Sequence, residues 1–184
     1  MKDFIGKVTS ITFDSENEIE SKSLRNFLHV FTEMGSTIGA ILIIGFLILL
    51  SFYQEEVTVR TILYTFIPIY LFQLLMVEVL KILFKKPRPA SHNHNNLFGK
   101  RITSGSFPSG HTSNIFTLAF LISNFYQLSI FLTVVVFTVA GIIAFSRILL
   151  GRHFTVDVVA GALCGLFFSV VGSMLLPHLL PFIL

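Results

Sequence analysis

Long uncharged stretches alternate with short polar clusters along this chain, and the alternation predicts its architecture. Gly35 to Tyr53 carries no charge over 19 residues, close to the ~20 that a helix needs to cross about 30 Å of hydrocarbon. It is the first predicted span. The second runs from Thr61 to about Phe84, apolar until Glu78 and Lys81 enter its last turns. Thr112 to Ser146 holds no charge over 35 residues, too long for one crossing. The polar patch of Ser123, Asn124, Gln127 and Ser129 divides it into a third span, about 109–127, and a fourth, about 129–148. The fifth extends from about Thr155 to Leu176, where Pro177 is placed to end it. Pro177 to Leu184 is apolar but short, suited to lying against the bundle or in the interface.

The first 34 residues have a different pattern. Phe4, Val8 and Ile11 recur at helical spacing, as do Leu24, Phe27, Leu28 and Phe31, with Lys and Glu on the other faces. Ser15 and Glu18 are spaced as a capping box opening the second of these segments. Helices of this kind lie in the membrane interface or pack on the bundle as ordinary amphipathic helices. Residues 1–23 are mixed in charge with no apolar run behind Lys2, so no secretory signal is expected. The expected organisation is an amphipathic interfacial segment over 1–34 and a transmembrane domain over 35–184. The fold class is all-α, a polytopic membrane bundle of about five spans.

Composition strengthens this reading. Hydrophobic residues make up 53% and charged residues 12%, about half the charge of a soluble domain. The single Cys164 excludes an intrachain disulfide or a cysteine metal cluster and reads as a core residue. Nothing here calls for a nucleic acid or an obligate protein partner; the bilayer is the expected surrounding.

Three clusters of chemistry-bearing residues punctuate the spans, and five crossings bring all three to one face of the membrane. The first holds Lys81 and Arg88-Pro89. Charges this close to hydrocarbon pair with one another or line a polar cavity. The planar fork of Arg suits a phosphate, and Lys adds a point charge. Basic residues beside a span also snorkel to headgroups, the reading given to Lys85 and Lys86. Glu78 is expected to pair with Lys81 or another cation, or to face the substrate.

The second cluster, Pro108-Ser109-Gly110-His111, opens the third span. Ser109 is a good N-cap, Gly110 lets a ligand approach the backbone, and a helix N-terminus is an anion site. His111 in the first turn can donate a proton to a leaving oxygen. The third cluster joins Ser146-Arg147, closing the fourth span, to His153 and Asp157, opening the fifth. Four residues apart, these two share a helix face. A carboxylate there can fix the imidazole tautomer and leave the other nitrogen to attack phosphorus. Arg152 reads as a headgroup contact. His92 and His94, set among Asn93, Asn95 and Asn96, read as a solvated loop and not as a metal site. Lys100 and Arg101 in the same loop could meet a second phosphate or an anionic headgroup.

These residues, in this order and with these internal spacings, resemble the tripartite signature of the type 2 phosphatidic acid phosphatases. The resemblance covers about residues 78–160. It implies a membrane lipid phosphatase in which His153 is the nucleophile forming a phosphohistidine, Asp157 orients it, and His111 protonates the leaving alcohol. It further implies that Lys81, Arg88, Ser109, Gly110 and Arg147 hold the phosphoryl oxygens, and that no metal or other cofactor is needed. Many membrane members have six spans. This chain is expected to offer amphipathic N-terminal helices in place of the first, and in that is similar to compact bacterial members, which include undecaprenyl pyrophosphate, phosphatidylglycerophosphate and lipid A phosphatases.

The expected reaction is hydrolysis of a lipid phosphomonoester or pyrophosphate, with undecaprenyl pyrophosphate and phosphatidylglycerophosphate the leading substrates and lipid A 1-phosphate the alternative. Two other readings compete: the vanadate haloperoxidase class, whose members are soluble and much larger, and a non-catalytic lipid-binding or transport protein. Orientation sets two arguments against each other. Of the 13 Lys and Arg residues, only Arg60 lies opposite the motif face, so the positive-inside rule places the site in the cytoplasm. A site that gathers anionic lipids recruits cations for its own purpose, however, and bacterial relatives work on the outer face of the inner membrane. The expectation is a multi-pass protein of the inner membrane with its site on the periplasmic or outer side.

Overall fold

The computed structural model describes residues 21–51, 62–89 and 105–179. Among the described residues six helices, with a 3-10 turn at Glu33–Gly35, make up the architecture: α1 (Lys22–Thr32), α2 (Thr37–Ser51), α3 (Ile62–Phe84, opening with a π-helical turn Ile62–Phe66), α4 (Gly110–Phe125), α5 (Ile130–Leu149) and α6 (Thr155–Leu179). The last five fall on the five predicted spans, with ends displaced by three residues at most. Three of them, α3, α5 and α6 (over Thr155–Leu176), are long and apolar enough to cross a membrane unaided.

The bundle is built inside out relative to a soluble protein. Ile130, Phe131, Leu83, Ile82, Leu163 and Phe167 project outward, as lipid contact requires. Gln73, Thr112, Ser113, Asn114, Thr117 and Ser169 are buried. In hydrocarbon these polar groups must find partners within the protein, and most do. Gln73 Nε2 donates to Ser113 Oγ (2.7 Å), Asn114 Nδ2 to the Gly35 carbonyl (3.2 Å), and Thr117 Oγ1 to the Gly165 carbonyl (3.2 Å). The most polar of the five spans, α4, therefore sits in the middle and touches α2, α3, α5 and α6. At 16 residues it is also shorter than its neighbours α3 and α5.

Close approach of α4 to α6 depends on two glycines one turn apart. A Cβ on Gly161 would lie 2.5 Å from the Ser109 carbonyl oxygen, and one on Gly165 2.4 Å from that of Ser113. Small residues at this spacing let membrane helices meet backbone to backbone. The contact also sets the height of the second cluster against the third.

Several local features differ from expectation. Helix α1 opens at Lys22, with Ser21 Oγ accepting from the Leu24 amide (3.3 Å); Ser15 and Glu18 lie outside the described residues. It packs on α5, burying Leu28 and Thr32 and leaving Leu24, Phe27 and Val30 exposed. A 64° bend then separates it from α2, where Ser36 Oγ takes the Gly39 amide (3.0 Å). Helix α6 continues to Leu179, through Pro177. The ring's fixed φ is helical, and so close to the end only one backbone hydrogen bond is forfeited. Cys164 is half-buried, beside the outward-facing Leu163, and is not a core residue.

Candidate active site

Helix α3 delivers the first cluster through an abrupt stop. Lys85 takes a left-handed conformation (φ 43°), and its amide closes the helix on the Lys81 carbonyl (3.0 Å). The chain then turns back over the bundle end, and Lys86 and Pro87 meet the strap Gly105–Ser109. The Ser106 amide donates to the Lys86 carbonyl (2.8 Å), and Ser106 Oγ to that of Pro87 (2.9 Å). Phe107–Pro108 is a cis peptide.

The strap leads into α4. Ser109 occupies the N-cap position, as predicted, but its side chain does not cap: its Oγ accepts from Thr112 Oγ1 (3.0 Å). The first-turn amides of α4 are thus left uncovered by Ser109, which suits them to an anion. The Ser109 amide donates to the Asp157 carbonyl (2.9 Å), tying the second cluster to the third through backbone alone. Gly110 has a positional reason: a Cβ there would sit 3.0 Å from Lys81 Nζ. Its absence lets the ammonium rest at the mouth of the helix, where Glu78 pairs with it as anticipated.

The third cluster is buried. Arg147 is 2% exposed, His153 3% and Asp157 0%. Arg147 ends α5, and its carbonyl accepts from the Arg152 amide (3.0 Å) and the His153 amide (3.3 Å), folding the loop so that the imidazole returns to the guanidinium. Arg147 Nη1 donates to Thr32 Oγ1 (3.2 Å), and Nε has no partner among the described residues. Nor does His111 Nε2, also buried. Leaving a buried donor unpaired costs ~1–3 kcal/mol, more for a charged group. The unpaired Arg147 Nε, which can only donate, and the unpaired His111 Nε2, with Arg147 making no ion pair to a carboxylate among the described residues, leave polar groups that suit an anion. His111 lies within electrostatic range of Arg147, His153 and Lys81.

Asp157 lies beside His153, as its spacing suggested, but a backbone carbonyl is the nearer acceptor to the ring. His153 Nδ1 is 2.9 Å from the Ser106 carbonyl oxygen and 3.7 Å from Asp157 Oδ2. A carbonyl can only accept, so Nδ1 carries the proton and Nε2 keeps its lone pair. Asp157 also accepts from the Phe154 amide (3.0 Å, Oδ2) and from Lys86 Nζ (2.7 Å, Oδ1). Burial pushes His153 down to about 4, Asp157 pulls the other way, and the charges of Arg147 and Arg88 lower it further. At neutral pH the ring is an uncharged base.

All eight residues singled out from sequence are joined by direct contacts or by electrostatic proximity to the two imidazoles. Arg88 is the loosest member, exposed on the segment after α3 but near enough to act on His153. Sequence reasoning missed three participants. Ser106 holds the imidazole through a backbone carbonyl, which no side-chain pattern can signal. Lys86 was assigned to headgroups and is bound to Asp157. Arg152, also assigned to headgroups, reaches α1: Nη2 lies 3.0 Å from His29 Nδ1 and Nη1 3.9 Å from Glu33 Oε1. His92, His94, Lys100 and Arg101 lie outside the described residues.

Buried cations, two imidazoles and an open helix N-terminus at one end of a bundle of apolar helices make this a membrane-embedded phosphatase. Comparison with known proteins gives the family: the pattern of the PAP2 superfamily matches residues 59–178, and the chain belongs to that superfamily. Among curated proteins it is 29% identical over 188 residues to the probable lipid phosphate phosphatase beta of Arabidopsis thaliana, covering 89% of this chain and 87% of that one. It is 32% identical over 91 residues to the lipid A 4'-phosphatase of Porphyromonas gingivalis, covering 47% and 38%. Among solved structures, LpxE from Aquifex aeolicus aligns over 94% of both chains with a TM-score of 0.65 and 25% identity. A transmembrane PAP2 phosphatidylglycerolphosphate phosphatase from Bacillus subtilis aligns over 94% of this chain and 86% of that one, with a TM-score of 0.72 and 20% identity, a likeness of fold.

Proposed function

We propose that this protein hydrolyses a lipid phosphomonoester or pyrophosphate in two steps through phospho-His153. The observation that carries this reading is the buried, neutral His153, its Nδ1–H occupied by the Ser106 carbonyl and its Nε2 available for attack. In the first step Nε2 bonds to phosphorus and the leaving oxygen takes a proton from His111. In the second, water attacks the phosphohistidine and its proton passes to His111. Arg147, Lys81, Arg88, the Ser109 hydroxyl and the open amide at Gly110 meet the charge that builds on the phosphoryl oxygens. A groove of about 420 Å³ between α1 and α2, lined by Val30, Met34, Ile38, Leu42 and Ile43, opens beside Glu33 and gives an acyl chain a place near the phosphate end.

The leading substrates are undecaprenyl pyrophosphate and phosphatidylglycerophosphate; the names of the Arabidopsis and Bacillus relatives favour a lipid phosphate of this kind. A lipid A phosphate is the second reading, favoured by the Porphyromonas relative. The test is phosphate release by the purified protein on these lipids and on a soluble sugar phosphate. Lipid phosphates should win in kcat/KM, His153→Ala should release nothing, and Asp157→Asn should be severely impaired. Equal efficiency on the sugar phosphate would remove the lipid reading, and wild-type turnover in His153→Ala would remove the nucleophile.

A further inference from the structure

Lys86 lies between Lys81 and Arg88 of the first cluster, and its ammonium is bound to Asp157 of the third. It lies 2.7 Å from Asp157 Oδ1, over the Phe154 ring (4.4 Å to its centroid) and near that of Phe107 (5.9 Å). The carboxylate is fully buried and the Lys86 side chain only 23% exposed, so the pair sits where charge is weakly screened. The backbone of the same residue accepts from the Ser106 amide. Both groups placed to accept a hydrogen bond from His153 Nδ1–H, the Asp157 carboxylate and the Ser106 carbonyl, are therefore tied to Lys86. One is held by its side chain and the other by its main chain.

We propose that Lys86 is a positioning residue that neutralises Asp157, so that His153 is oriented by the neutral Ser106 carbonyl and stays unprotonated, and nucleophilic, to lower pH. A lone carboxylate 3.7 Å from the ring would draw the Nδ1–H toward itself and stabilise the imidazolium. Paired with Lys86, it serves as an acceptor for the Phe154 amide and a fastener between clusters. The inference rests on the reading of His153 as nucleophile.

The other charges around the imidazole do not change when Lys86 is replaced: Asp157 on α6, Arg147 on α5, Arg88 on the segment after α3 and His111 on α4. Lys81 and Arg152 stand within range of His111. A comparison of variants on one lipid phosphate, in which the substrate's own titration cancels, isolates the effect. The experiment is kcat/KM against pH for wild type, Lys86→Met and Lys86→Arg in detergent micelles, with His153→Ala as control.

Removing a positive charge favours the protonated ring, so the acid limb of Lys86→Met should move to higher pH by about one unit. Rates below the limb fall about tenfold, and rates above it fall little. Lys86→Arg, which keeps the charge and the bond to Asp157, should restore the wild-type limb. Should Lys86→Met not be recovered monodisperse, Lys86→Gln carries the same expectation. An unchanged limb with a uniform loss of rate would make Lys86 merely structural, and a limb in Lys86→Arg as displaced as in Lys86→Met would rule out charge as the cause. If His153→Ala stays active the nucleophile reading itself fails; if it is dead while the limb of Lys86→Met is unmoved, only the inference about Lys86 does.

Discussion

Gly161 has no side chain to offer the reaction, yet a single methyl there should damage both stability and turnover. Its missing Cβ would lie 2.5 Å from the Ser109 carbonyl oxygen, and ordinary contact begins at 3.4 Å. The obstacle is backbone, so no side chain can swing aside, and α4 and α6 must part by about 0.9 Å. Overpacking of this order costs ~1–3 kcal/mol. The same displacement stretches the bond from the Ser109 amide to the Asp157 carbonyl, moving Gly110 and His111 away from His153. A misplacement of ~1 Å at a reacting geometry is worth about 10²-fold in rate. Gly161→Ala should therefore lose about two orders of magnitude in kcat/KM and melt earlier in detergent. With no Trp in the chain, melting is best followed by far-UV circular dichroism and by the monodisperse fraction after heating. Gly165→Ala, one turn deeper and 2.4 Å from the Ser113 oxygen, should match it in stability but lose less activity. Gly45→Ala and Gly141→Ala, whose added methyls would meet nothing within 4 Å, are the controls and should resemble wild type. If Gly161→Ala behaves as these controls do, the α4–α6 contact does not set the site geometry.

Two further outcomes follow from the chemistry and the charge distribution. Activity should survive a strong chelator, because the phosphoryl charge is met by Arg, Lys and helix amides; loss on chelation with recovery on Mg²⁺ or Zn²⁺ would instead make ligands of His92 and His94. For orientation, Cys164→Ser combined with Asn95→Cys gives a single thiol on the motif face. Labelling by a membrane-impermeant reagent in intact cells is the outcome expected of an outward-facing site, and labelling only after lysis would place the site in the cytoplasm, as the positive-inside rule has it.

The helices and the three clusters were legible because each is encoded locally. Uncharged length predicts the spans, and the Ser123–Ser129 patch marks the hairpin between α4 and α5, where Gln127 turns with φ 46° and Ser129 caps the next helix. The spacing of Gly161 and Gly165 was also present in the sequence, but a pair of small residues becomes a helix contact only when the partner, here the Ser109–Ser113 backbone, is known. Pro177 misled for the opposite reason: a local rule was applied where the helix had almost finished.

Charged residues next to the spans resisted reading because hydropathy weighs them alike. Lys85 and Lys86 are neighbours of the same type beside the same helix end, yet Lys85 is exposed and Lys86 holds a buried carboxylate. What separates them is the left-handed turn at Lys85, which sends the next residue back over the bundle instead of outward to headgroups. Arg152 repeats the case: its partners His29 and Glu33 lie more than a hundred residues away, on and just after an amphipathic helix whose place against α5 no periodicity could supply. The charge of such residues can be counted from sequence, but their work depends on which way the backbone turns one residue earlier. In this protein that turn decides whether the carboxylate beside His153 is a lone anion or half of a neutral pair, which is the difference that the pH profile of Lys86→Met is designed to read.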